Sequence, residues 1–195
     1  MRPFTTLEAV AAPFDLANCD TDKVIPARFL RKPRSGGYGG FLFHDIRQEP
    51  DFVLNQSAYK EAKILVAERN FGCGSSREGA VYALSDAGFR AVIAPSFGDI
   101  FFNNCGKNGV AAIRLPAETV AGLRAQLKAR PGATISIDLP AQTVTGPDGV
   151  AHRFEVDAFV KHCLLNGLDD IGLTLEHAER IKTFEQGHRA AHPWL

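Results

Sequence analysis

The side chains best suited to chemistry stand together in Asn70-Phe71-Gly72-Cys73-Gly74-Ser75-Ser76-Arg77-Glu78. Ser75 and Ser76 bring two hydroxyls. Arg77 brings a full positive charge on a planar fork that matches a carboxylate or phosphate. Gly72 and Gly74 allow a tight backbone and close approach of a ligand. Ser75 stands three residues before Glu78, the spacing of a capping box. A helix that starts here turns unpaired N–H groups and a partial positive charge toward whatever sits above it. Hydroxyls, arginine and helix N-terminus in one short run point to an anion site. A plain helix cap is the competing reading.

The other reactive residue types are more scattered. Cys19, Cys73, Cys105 and Cys163 are widely spaced with no C-x-x-C, so neither zinc nor iron–sulfur ligation within this chain is signalled. Cys73 lies near a helix N-terminus and an arginine, where a thiolate could be stabilised. It has no evident histidine partner and reads as a small turn residue. Asp20 and Asp22 are clustered, but the further oxygens and distal Glu of a calcium loop are missing. A turn with local Asx hydrogen bonds is expected there, and no metal site is expected on this chain.

The elements that must position the central turn follow from the apolar pattern. Ile64-Leu65-Val66-Ala67 reads as a buried strand leading into it, and Ala80, Val81, Ala83, Leu84 and Ala87 mark a helix over about 76–87 leading out. Residues 1–17 contain an opening strand. Arg90 to Ala94 and Val110 to Ile113 are further short strands, with a short helix from Ile100 to Asn104 between them. Strand, helix, strand, short helix, strand implies a parallel core with crossovers. A helix at 116–129, a strand around Ile135, Ile137 and Leu139, and a hairpin turning at Gly146-Pro147-Asp148-Gly149 come next. Helices are expected at about 157–166 and 174–186. The fold class is α/β, a single domain over 1–195.

Composition narrows the function. Hydrophobic content is 45% and charged content 23%, ordinary for a soluble globular chain. The formal net charge is zero, which argues against nucleic-acid binding as the main task. No apolar run reaches membrane-spanning length, and Glu8 interrupts the stretch where a signal peptide needs its apolar core. A cytoplasmic protein with no membrane partner is the expectation. Residues 28–40, with Arg28, Phe29, Leu30, Arg31, Lys32, Arg34 and four glycines, read as an exposed mobile loop. A lid over an anionic small molecule is its functional reading.

The central run resembles the signature of the aconitase superfamily's swivelling β/β/α domain. Asp20-Thr21-Asp22 with Val24-Ile25-Pro26, Val92-Ile93-Ala94, Pro95-Ser96-Phe97-Gly98-Asp99-Ile100-Phe101 and Lys107-Asn108-Gly109 follow in family order. His162 to Leu175 closely resembles the small subunits of bacterial 3-isopropylmalate dehydratases. This resemblance implies a hydro-lyase subunit that interconverts 2-isopropylmalate and 3-isopropylmalate in leucine biosynthesis. It implies a large partner that bears a [4Fe–4S] cluster, with no cofactor bound by this chain, and a small dicarboxylate substrate. It gives Ser75 the general-base role and Ser76 and Arg77 the substrate carboxylate. It makes 28–40 the substrate-selecting loop, where Phe29 and Leu30 could face an alkyl group and Arg28, Arg31, Lys32 or Arg34 a carboxylate. After Ser-Ser-Arg-Glu the family continues His-Ala, whereas this chain has Gly79-Ala80. That departure leaves citramalate, dimethylmalate or maleate as alternative substrates. An anion-binding regulatory or partner subunit without catalysis of its own is the alternative of a different class.

Overall fold

Strand β1 (Thr6–Phe14) is where two kinds of sheet meet. Its last four residues pair in parallel with β2 (Ile64–Ala67), from Ala11 opposite Ile64 to Phe14 opposite Ala67. Its first five pair antiparallel with β5 (Thr134–Asp138), from Thr6 opposite Asp138 to Val10 opposite Thr134. Beyond β2 the parallel half continues through β3 (Ala91–Ala94) and β4 (Ala111–Arg114). Beyond β5 the antiparallel half continues through β6 (Thr143–Thr145) and β7 (Ala151–Arg153). The result is one seven-stranded sheet of order β4-β3-β2-β1-β5-β6-β7. This is a computed structural model, and it describes residues 1–75 and 77–194.

The side-chain alternation explains why the parallel strands read as continuous apolar runs. In β2, Leu65 and Ala67 join one core cluster, while Ile64 and Val66 join a second one on the other side of the sheet. In β3, Val92 and Ala94 face the first cluster, and Ala91 and Ile93 the second. Both faces are covered, so both parities must be apolar. Helices α2 (Glu78–Asp86) and α3 (Asp99–Lys107) cover the first face with Val81, Leu84, Phe101 and Cys105. Helix α4 (Ala117–Ala129) covers the second with Val120, Leu123 and Leu127. Each such aliphatic side chain contributes about 1.5–3 kcal/mol by leaving water.

Some expectations needed correction. The short helix at 100–104 is longer, because Asp99 begins it and Lys107 ends it. The single helix expected over 174–186 is two. Asp169 accepts a hydrogen bond from Gly172 N at 2.7 Å and starts α6 (Asp170–Leu175) early. The chain leaves helical geometry at His177 (φ −106, ψ 16) before α7 (Ala178–Ala191) begins. Helix α5 (Ala158–Asn166) stands as expected, capped by Asp157 and closed by Gly167 in the left-handed region (φ 68). Between β1 and β2 the chain forms a four-residue helix, α1 (Thr21–Val24), and six single-turn 3-10 helices, so residues 28–40 are locally ordered.

Candidate active site

The turn after β2 coils tightly because three of its residues are left-handed: Asn70 (φ 59), Gly72 (φ 71) and Gly74 (φ 87). Asparagine tolerates that region through its side chain, and Asn70 Nδ2 donates to Asn18 Oδ1 at 2.9 Å. Gly72 is obligatory on two counts. Its φ disfavours any side chain, and a Cβ there would enter the ring of Phe101. Phe71 is fully buried and anchors the turn edge-on to Phe14 and Phe101, at ring separations of 5.8 and 5.4 Å.

Two neighbouring segments hold the turn from either side. From the β1 end, Cys19 O accepts from Gly72 N at 2.7 Å, and Thr21 N donates to Cys73 O at 3.0 Å. Thr21 Oγ1 donates to Ser75 O at 2.8 Å. From the β3 end, Ser96 O accepts from Phe71 N at 3.1 Å, and Gly98 N donates to Phe71 O at 2.9 Å. A Cβ on Gly98 would stand 2.5 Å from Gly72 O, so these two backbones are in direct contact. The family-ordered segments around Asp20 and Phe97 are thus the two walls of one cradle.

The cradle opens into a cleft of about 200 Å³ lined by Ser75 and Arg77 and, opposite them, by Gly98, Asp99 and Ile100. Ser75 is exposed, and Arg77 is half-buried. The capping-box expectation fails. Arg77, not Ser75, is the N-cap residue of α2, with extended backbone (φ −136, ψ 103) and no side-chain cap. Glu78 accepts from Asn108 Nδ2 at 2.9 Å instead of reaching back to Ser75. Freed from capping, the Ser75 hydroxyl faces the cleft's solvent side. The Arg77 guanidinium forms an ion pair with Asp22. Asp20 caps α1 through Lys23 N at 2.8 Å, which fixes Asp22 on the first turn of that helix. Burial works to raise the Asp20 carboxyl, but the side-chain and backbone hydrogen bonds from Lys23 outweigh it and hold it below the usual carboxylate range.

Ser76 lies outside the described residues. Of the loop residues expected to bind substrate, none is among the described lining of the cleft. Arg28 is turned to Asp45, with Nη1 to Oδ2 at 3.0 Å, and that hydrogen bond, aided by His44, pushes the Asp45 carboxyl down to about 2. Phe29 stacks on Phe41 with ring centroids 4.4 Å apart. Arg31 is exposed, with no ion-pair partner among the described residues. Leu30 alone approaches the turn, packing where a side chain on Gly79 would be. Sequence reasoning assigned no role to Asp22, Thr21 or Asp99. Their signal was present in the family-ordered segments, but only the tertiary contacts pair them with Arg77, Ser75 and the cleft.

Among the described residues no three His, Cys, Asp or Glu side chains gather in a ligand arrangement. Burial pushes the Cys19 thiol up to about 12 and raises Cys105 further, which disfavours the thiolates a cluster needs. The side chains here do not fit an iron–sulfur cluster.

A family model described as the aconitase C-terminal domain matches residues 1–118. Two more match 121–158 and 170–195: LeuD_N, and the C-terminal domain of the 3-isopropylmalate dehydratase small subunit. A relative from Paramagnetospirillum magneticum, named 3-isopropylmalate dehydratase small subunit, is 53% identical over the whole of both chains. The chain belongs to the 3-isopropylmalate dehydratase small-subunit family. A second such small subunit, from a Jannaschia species, is 55% identical, again over the whole of both chains. The crystal structure of the 3-isopropylmalate dehydratase LeuD protein of Methanocaldococcus jannaschii superposes with a TM-score of 0.68 at 25% identity, covering 92% of this chain and 99% of that one. The small-subunit family therefore carries the aconitase-type α/β fold expected from the central turn, with its mixed sheet and crossover helices. No helix among the described residues is long and apolar enough to cross a membrane.

Proposed function

We propose that the chain is the small subunit of a hydro-lyase that interconverts 2-isopropylmalate and 3-isopropylmalate by dehydration and rehydration, in leucine biosynthesis. The observation that carries this reading is the sharing of one cleft by Ser75 and Arg77, on a turn whose neighbours are those of the family. Residues 1–195 act as one swivelling domain in the cytoplasm, paired with a large subunit.

The roles follow from the side chains. The Arg77 fork binds a substrate carboxylate through two parallel hydrogen bonds, and Ser76 adds a hydroxyl to the same group. Ser75 takes the proton from the carbon next to the hydroxyl-bearing one. Its alkoxide gains stability from the adjacent guanidinium, from the start of α2 and from loss of water when the partner covers the cleft. The hydroxyl leaves, a carbon–carbon double bond forms, and water returns with the positions of hydrogen and hydroxyl exchanged. A [4Fe–4S] cluster held by the large subunit supplies a Lewis acid for the departing hydroxyl.

The test is reconstitution with a cluster-bearing large subunit and an assay on a panel of substituted malates. Turnover requires both subunits and is most efficient with isopropylmalate. Ser75→Ala lowers turnover by about 10²–10⁴-fold, the usual worth of a positioned base, while the two subunits still assemble. Near-normal turnover in that variant removes the base assignment, and a preference for citramalate, dimethylmalate or maleate removes the substrate.

A further inference from the structure

Helix α2 carries Arg77 at its start and a second, separate device at its end. Asp86 accepts from Arg34 Nη1 at 2.6 Å and from Arg34 Nη2 at 3.0 Å, a two-pronged carboxylate–guanidinium pair. The same carboxylate accepts from Tyr38 N at 2.7 Å. The Arg34 guanidinium lies over the Tyr82 ring, 4.4 Å from its centroid, which adds a cation–π contact on the outer face of α2. Gly39 lies directly on the helix end, since a Cβ there would stand 2.7 Å from the Asp86 carbonyl carbon.

From this clasp the segment runs back along α2 toward Arg77. Tyr38 is buried, and its hydroxyl donates to Lys32 O at 3.1 Å and reaches Leu30 O at 3.4 Å. Leu30 then settles into the space left by the missing side chain of Gly79. The segment is therefore fastened to α2 at both ends, by Asp86 and by Gly79. Gly79 lies two residues from Arg77, so the Leu30 side chain sits against the first turn of the helix that presents the guanidinium.

We propose that Asp86 is a positioning residue: by clasping Arg34 and the Tyr38 N–H it keeps Leu30 seated on Gly79, and Leu30 so held is the apolar contact for the substrate's alkyl group. This rests on the proposed isopropylmalate reaction. A dicarboxylate gripped by Arg77 must place its side chain nearby, and a leucine fixed on the adjacent turn selects a branched alkyl group over a smaller one. Asp86 touches neither substrate nor the reacting atoms. It acts through distance, because a small displacement of a binding side chain is enough to weaken a positioned substrate.

The experiment uses the reconstituted two-subunit enzyme with Asp86→Ala, Asp86→Glu and Arg34→Ala. Asp86→Ala and Arg34→Ala each raise KM for isopropylmalate about tenfold with kcat changed by less than about threefold, and they narrow the preference for isopropylmalate over citramalate. The double variant adds little to either single one, since both break the same clasp. Asp86→Glu, which keeps the carboxylate, recovers part of the preference. Hydrogen exchange of residues 30–39, read on the small subunit alone and in the complex, rises in the Ala variants. Unchanged exchange at 30–39 overturns the clasp. Increased exchange with an unchanged ratio of the two malates overturns the positioning role. Should the unaltered enzyme turn over neither malate, the proposed reaction fails, and the clasp is then judged by exchange alone.

Discussion

Thr21 Oγ1 donates a 2.8 Å hydrogen bond to the carbonyl oxygen of Ser75, although the two residues lie on different segments. Thr21 is also the one polar side chain counted as buried among the described residues, at 2% exposure. A buried hydroxyl with a single backbone target fixes where that carbonyl, and the side chain beside it, must stand. Thr21→Val keeps the shape and removes the donor, leaving the carbonyl unsatisfied. The expected cost is about 1–3 kcal/mol in denaturant unfolding, with turnover falling further than stability explains. Thr21→Ser keeps both close to the original.

Gly72→Ala meets two obstacles at once, a left-handed backbone (φ 71) and the Phe101 ring. The ring belongs to the packed core with Phe71 and Phe97 and has nowhere to go. A loss on the order of 3 kcal/mol is expected, enough to lower soluble yield and the thermal midpoint sharply. A variant with an unchanged midpoint would show that the turn is not under this constraint.

Arg77→Lys separates binding from folding. The pair with Asp22 is partly solvent-exposed, so its loss changes stability by less than about 1 kcal/mol. A lysine supplies a point charge in place of a fork, so KM for the dicarboxylate rises about tenfold or more while subunit assembly persists. Steady-state kinetics beside a thermal melt read both numbers.

Gly79→Ala sets two effects against each other. Alanine improves a helix by up to about 1 kcal/mol over glycine in an interior position, and less in the first turn. The added methyl displaces only the tip of Leu30, a side chain able to turn away. The two nearly cancel, so the melting temperature stays within a few degrees. The ratio of isopropylmalate to citramalate turnover moves instead. A large shift in stability with an unmoved ratio contradicts this account.

The cysteines differ in reactivity for a stated reason. Burial holds the Cys19 thiol up to about 12 and Cys105 higher still, so neither is ionised at pH 8. Cys163 is raised as well, chiefly by burial. Cys73 is the partly exposed one. Iodoacetamide at pH 8 therefore modifies one cysteine quickly in the folded chain and four after unfolding, as peptide masses will report.

Much of this was legible in the sequence where a signal was local. Ile64 to Ala67 and Ala91 to Ala94 are buried on both faces, so their unbroken apolar runs found the parallel strands. Gly72 and Gly74 marked the turn because only its coiling needs them. The capping box misled because spacing alone does not choose a partner. Glu78 had Asn108 within reach, a residue on the far end of α3. Asp22 with Arg77, and Asp86 with Arg34, are pairs made by the sheet's topology, and nothing near either residue in the chain announces them. Residues 28–40 looked merely exposed because their anchors are a carboxylate and a missing side chain on α2.

Strand β1 imposes an order of events on a chain made from its N-terminus. Its second half finds a partner in β2, and β1 to β4 are all present once Arg114 has been added. Its first half must wait for Thr134–Asp138. Until then Thr6 to Val10 is an open edge whose Leu7 and Ala9 have no β5 to pack against. Pairing across so long a span is slow to form. Chains cut short between β4 and β5 therefore expose a ready template for intermolecular pairing, and they are the aggregation-prone form of this protein.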